Sequence, residues 1–158
     1  YRDALANEDA LVYSVSSVES QAEPGALSFG LGRIEAGRVG REFFMTKGHI
    51  HVWRQASEVY VALAGCGVML LHDVERREDR AVPFASGDVV FVPGGVAHRT
   101  VNVGEEALSY LGIYPSEAGH DYAAVVEQPF PHRVVATDDG GWKLRQASAG
   151  MMTEEAGR

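Results

Sequence analysis

No stretch of this sequence sustains the apolar period of a long amphipathic helix. Short apolar or alternating runs recur instead, most of them separated by glycine or proline, and that pattern predicts many strands joined by tight turns. "LVYSVSS" at 11–17 alternates apolar and polar residues, while "ALSFGLGRI" at 26–34 is a weaker strand because of its glycines. "EVYVALAG" at 58–65 puts Val59, Val61 and Leu63 on one face and Glu58, Tyr60 and Ala62 on the other. "GVMLLHDV" follows the Gly65–Cys66–Gly67 turn, which predicts a hairpin. "DVVFVP" at 88–93 reads as a buried strand, and "HRTVNV" and "ALSYLGIYP" as a strand pair joined through Gly104. The charged run "ERREDRAVPF" reads as a solvated loop, "HDYAAVVEQ" as one short helix, and "HRVVAT" and "WKLRQAS" as a terminal hairpin around Asp138–Gly141. The expectation is an all-β sandwich or barrel in a single domain over residues 1–148, with 149–158 a flexible C-terminal tail.

The formal net charge of −8, without a basic stripe, argues against nucleic acid or an anionic membrane as partner. A single phosphate remains compatible, because a local cluster of donors holds one inside an acidic protein. Cys66 is the one cysteine, so no intrachain disulfide forms and nothing requires an oxidising compartment. No apolar run reaches the roughly 18 residues of a membrane span, and no leader opens the chain, so the cytoplasm is the expected location.

The chemistry concentrates in "TKGHIHVWRQASEVY". On a strand, His49 and His51 point to the same face. Glu58 opens the next strand after a short loop, Trp53 to Ser57. A fourth donor comes from "GDVVFVPGGVAHRTVN", where a Pro-Gly-Gly turn precedes His98. Three imidazoles and a carboxylate form a mixed N/O set suited to Fe(II), Mn(II), Ni(II) or Zn(II). His72 and His132 have no matching partner and read as surface residues.

The second block resembles the second cupin motif in every spacing: Gly87, Pro93-x-Gly95, His98 and Asn102. The first resembles the first cupin motif in His-x-His and in Glu58 followed by Gly65, although more residues separate His51 from Glu58 than in most cupins. With "FFMTKGHIHVWRQASEVYVALAGCG", "VPGGVAHRTVNVG" and "IYPSEAGHDY", the chain resembles the cupin-type, metal-dependent glucose-6-phosphate isomerases from about Val12 to Val135. That resemblance implies a cupin double-stranded β-helix and one divalent ion, Fe(II) first and Mn(II), Ni(II) or Zn(II) as alternatives, on His49, His51, Glu58 and His98. It also implies a glycolytic and gluconeogenic isomerase acting on a sugar phosphate as a cytoplasmic homodimer.

Within the resemblance, Thr46, Lys47 and Gly48 fall where phosphate is held, and Tyr13 and Tyr114 where substrate is contacted. His120 and Tyr122 sit where ring opening or proton shuttling is assisted. Glu58 is the first candidate for the base that removes the C2 proton, with a direct hydride shift between C2 and C1 as the other route. Gly32 stands where the family commonly has a phosphate-binding threonine. Two other readings remain: another metal-dependent cupin, such as a different sugar isomerase or an Fe(II) dioxygenase, and a phosphosugar-binding cupin without turnover.

Overall fold

The computed structural model describes residues 11–21 and 23–147; the expected tail at 149–158 lies outside them. The strands are β1 (Tyr13–Val18), β2 (Leu27–Ile34), β3 (Arg38–Val39), β4 (Glu42–Phe43), β5 (Ile50–His51), β6 (Glu58–Ala64) and β7 (Cys66–Asp73). They continue with β8 (Glu78–Ala85), β9 (Val89–Val92), β10 (Val96–Asn102), β11 (Leu108–Pro115), β12 (His120–Asp121), β13 (His132–Ala136) and β14 (Trp142–Gln146). One short helix, α1 (Ala124–Glu127), interrupts them. All strand pairs are antiparallel.

A five-stranded sheet, β1-β2-β11-β6-β9, faces a three-stranded sheet, β10-β7-β8. The main core lies between them and joins Ile34, Tyr60, Ala62, Met69, Leu71, Phe84, Val92, Leu108 and Tyr110. The terminal hairpin β13–β14, extended by β4 and β3, covers the far side of β7 and β10 through Phe43, Val68, Val101, Val134 and Ala136. Strand β7 is therefore buried on both faces, which explains its continuous apolar run.

The structure corrects several local expectations. The turn at Gly65 carries the chain from the five-stranded to the three-stranded sheet, so β6 and β7 form no hairpin. The same holds for β10 and β11, which pair with β7 and with β2 and β6 respectively. The charged run at 75–84 is largely strand β8, paired to β7 along its whole length, with Phe84 fully buried. Strand β9 buries only alternate residues, leaving Val89 and Phe91 exposed. The helix expected over 120–128 shrinks to α1, because His120 and Asp121 pair with β5.

His72 and His132 are not surface residues standing alone. Asp79 on β8 accepts from Nδ1 of both, each at 2.6 Å, and its side chain is 2% exposed. This triad ties the β7–β8 ribbon to the terminal hairpin.

The five-stranded sheet has an unusual outer face. Leu27, Phe29, Leu31, Leu63, Val89 and Phe91 all point to solvent, while Ser28, Gly30 and Gly32 of β2 point inward. Gly30 leaves room for a cavity within the barrel.

Candidate active site

The segment from Met45 to His51 runs along β10 through isolated bridges, Met45 to Val101 and His49 to His98. The N–H of His49 donates to the His98 carbonyl at 3.1 Å, and the N–H of His98 returns the bond at 2.9 Å. His49 and His51 share a face, while Ile50 between them turns away into a core with Leu70, Ala97, Val125 and Phe130. Glu58, first residue of β6, points inward with Tyr60 and Ala62. Gly112 on β11 makes room for its carboxylate, since a Cβ there would lie 2.7 Å from Glu58 Oε1.

His49, His51, Glu58 and His98 are all buried, and one ligand atom from each lies within 4.8 Å of every other. Glu58 Oε2 stands 3.0 Å from Nε2 of His98, 3.3 Å from that of His51 and 3.7 Å from that of His49. The second ring nitrogens decide the chemistry. His51 Nδ1 donates to the Ala56 carbonyl at 3.0 Å, and His98 Nδ1 to the Val96 carbonyl at 3.1 Å. A carbonyl only accepts, so Nδ1 carries the hydrogen, and each ring in its neutral form aims a lone pair from Nε2 at the carboxylate. Nε2 of His49 and of His51 are buried without a hydrogen bond. Lone pairs converging on a carboxylate need a cation among them, and this donor set fits a divalent metal.

The electrostatics of His49 agree. Burial pushes His49 down to about 3 against the pull of Glu58, so its ring is neutral at pH 7 and able to donate a lone pair. Burial alone would raise Glu58, yet the imidazoles of His49, His51 and His98 packed around it hold it well below the ordinary carboxylate range. Burial also works to lower His51, but the Glu58 carboxylate and the Ala56 carbonyl outweigh it and raise the ring.

His49, Glu58 and His98 line a cavity of about 290 Å³. The residues expected to hold or process substrate also open onto it: Tyr13, Thr46, Lys47, Gly48, Tyr114, His120 and Tyr122. The His120 ring lies 4.4 Å from that of His49 and 4.9 Å from that of Tyr114, and it stacks on Tyr122 at 6.0 Å. Lys47 Nζ sits 4.9 Å from the Tyr122 ring centre. Gly48 adopts φ 78°, and a Cβ there would press to 3.0 Å against the His98 carbonyl, so glycine serves both the turn and the close approach. Burial lowers His120 and raises Tyr122 and Tyr114, the last also through its hydrogen bond to Glu19.

Sequence reading missed other residues of the lining, among them Glu19, Tyr60 and Tyr110. Tyr60 was the most accessible of these, since it shares the Glu58 face two residues on. Glu19 enters through Tyr114, whose hydroxyl donates to its Oε1 at 3.0 Å.

Comparison with known proteins agrees with this geometry. A family model described as Glucose-6-phosphate isomerase (GPI) matches residues 2–152. The chain belongs to the glucose-6-phosphate isomerase family. It is 44% identical over 144 residues to a glucose-6-phosphate isomerase of Pyrococcus horikoshii, covering 91% of this chain and 75% of that one. A family member from Pyrococcus furiosus is 42% identical over the same shares. Among solved structures, an oxalate oxidase superposes with a TM-score of 0.57 at 14% identity, over 72% of this chain and 56% of that chain. A Bacillus subtilis oxalate decarboxylase gives 0.55 at 22% identity, over 67% and 26%. These two likenesses establish the cupin fold of this glucose-6-phosphate isomerase family member.

Proposed function

We propose that this chain interconverts glucose 6-phosphate and fructose 6-phosphate, using one divalent ion on His49, His51, Glu58 and His98. The observation that carries the reading is the buried ligand set at the wall of a cavity large enough for a small phosphosugar. When bound, the ion would polarise the sugar carbonyl and stabilise negative charge developing beside it. Fe(II) is our first assignment among the ions suited to such donors.

The chain's own groups divide the remaining work. Thr46, Lys47 and Gly48 offer a hydroxyl, an ammonium and backbone at the cavity wall, a set suited to phosphate. Tyr13 and Tyr114 contact the sugar. His120, kept neutral by burial, takes the proton from the anomeric hydroxyl as the bond from C1 to the ring oxygen breaks, and Tyr122, kept protonated, gives one to that leaving oxygen. Glu58 is held ionised, as a base for the C2 proton must be.

We assign the unit as one cupin domain over residues 1–148, working in the cytoplasm as a homodimer. The outer face of the five-stranded sheet supports the dimer, because monomers rarely expose so many neighbouring large apolar side chains. A coupled isomerase assay on chelator-treated protein, with Fe(II), Mn(II), Ni(II) and Zn(II) restored singly, tests the function. Activity is expected to vanish on chelation and return with at least one ion; turnover unaffected by metal removal overturns the reading.

A further inference from the structure

His120 and Tyr122 reach the cavity from a slight platform. Strand β12 is two residues long and pairs only with β5, placing His120 opposite His51 and Asp121 opposite Ile50. So short a ladder offers little resistance to sliding or lifting. His120 and Tyr122 line the cavity, and Asp121 faces away from it into a separate depression that Arg54 also lines.

Arg54 comes from the loop between His51 and Glu58. One guanidinium nitrogen, Nη1, donates to the His51 carbonyl, and Nη2 donates to Asp121 Oδ2 at 2.7 Å. Asp121 Oδ1 accepts the Ala124 N–H at 3.0 Å, at the start of α1. The same loop is stitched to the approach of β12 by Val52 N–H to the Gly119 carbonyl and Trp53 N–H to the Ala118 carbonyl. A single cation thus holds the backbone of the metal-ligand strand and the residue between His120 and Tyr122.

We propose that Arg54 is a positioning residue for His120 and Tyr122, its guanidinium bridging the His51 carbonyl and Asp121 from the side opposite the cavity. The inference rests on the proposed isomerase reading. Arg54 touches neither substrate nor ion. Its planar fork serves two acceptors at once, which the ammonium of lysine does less well. A small displacement of a positioned catalytic group costs up to about a hundredfold in rate.

The test compares R54A, R54K, H120A and the R54A/H120A double variant in the metal-loaded protein. R54A is expected to lose about tenfold in kcat/KM at unchanged metal content, with R54K intermediate. In the H120A background the same change is expected to cost less than about twofold, because residues acting as one unit are not additive. As a readout apart from turnover, the His120 imidazole NMR signals of the metal-free protein shift in R54A while those of His132 stay. Wild-type turnover in R54A, penalties that multiply in the double variant, metal lost in step with activity, or His120 signals that do not move each overturn the inference. A wild-type protein without isomerase activity fails the functional reading instead, and the NMR comparison still judges the positioning.

Discussion

The ring of Tyr110 occupies the space where residue 32 would carry a side chain: a Cβ on Gly32 would lie 2.2 Å from Tyr110 Cζ and 2.5 Å from its hydroxyl. The glycine is therefore required by a buried aromatic neighbour on β11, directly opposite in register. The substitution G32T is expected to destabilise the fold by about 1–3 kcal/mol through overpacking. Denaturant melts check this, and adding Y110L, which shortens the offending side chain, should recover most of the loss.

Removing one ligand imidazole leaves a site that no longer closes. H51A and H98A should each lose bound metal, read by elemental analysis. Isomerase turnover should fall by at least about a hundredfold, since even partners outside a ligand set are worth 10–100-fold. Retention of full activity in either variant would remove the basis for the metal assignment.

The metal-free protein should lose stability as pH falls. His49 is held near 3 when folded and sits at 6.5 as a free side chain, so between those values the unfolded chain binds more protons. Its contribution is complete above about pH 6.5 and drains away toward pH 3. Glu58, depressed in the fold, adds a loss of the same sign below 4.5, its ordinary value. His51, raised in the fold, works in the opposite direction, stabilising at low pH and less as pH rises through its folded value. Thermal melts between pH 7 and 4 measure the net slope, and H49Q should flatten it between 6.5 and 4.

Asp79 bridges two imidazoles while almost wholly buried. D79A strands the buried His72 donor at a cost of about 1–3 kcal/mol, while the half-buried His132 loses its anchor and turns to water. The damage should concentrate where the triad anchors the terminal hairpin. Hydrogen exchange is therefore expected to accelerate in β13 and β14 before it does in β6 and β11; uniform acceleration would count against a local clasp.

The apolar sheet face makes a further prediction. Phe29 lies on this face on β2, between Val18 of β1 and Ile113 of β11. F29E should convert a dimer to a monomer in light scattering, with the monomer's far-ultraviolet circular dichroism preserved. An unchanged mass would place the contact elsewhere.

Much of the site was legible because its determinants are local. His49 and His51 share a face by strand periodicity alone, and the Pro-Gly-Gly turn before His98 marks where a strand returns. The terminal hairpin was legible for the same reason, its turn residues lying between two apolar runs. Sheet membership was not, because nothing in Gly65 or Gly104 tells whether a turn keeps the chain in one sheet or passes it to the facing one. Strand β8 was hidden by its own chemistry: it is an edge strand, and charged residues such as Glu78 and Arg80 on an edge discourage pairing with other chains. His72 and His132 looked solitary because their shared partner, Asp79, sits inside that disguised strand. Gly32 was read only as a missing hydroxyl, since its neighbour Tyr110 becomes visible only once β2 and β11 are laid side by side.

The reciprocal backbone bridge between His49 and His98 would make a bound ion a fastener as well as a reagent. Two stretches distant along the chain are zipped there by two backbone hydrogen bonds, and their imidazoles would then grip the same cation. Chelation would unlatch that junction, so protease susceptibility around Met45 to His51 should track metal occupancy. Cells short of the metal would then face a shortage of the folded protein too, and supply of the ion would govern how long each molecule survives.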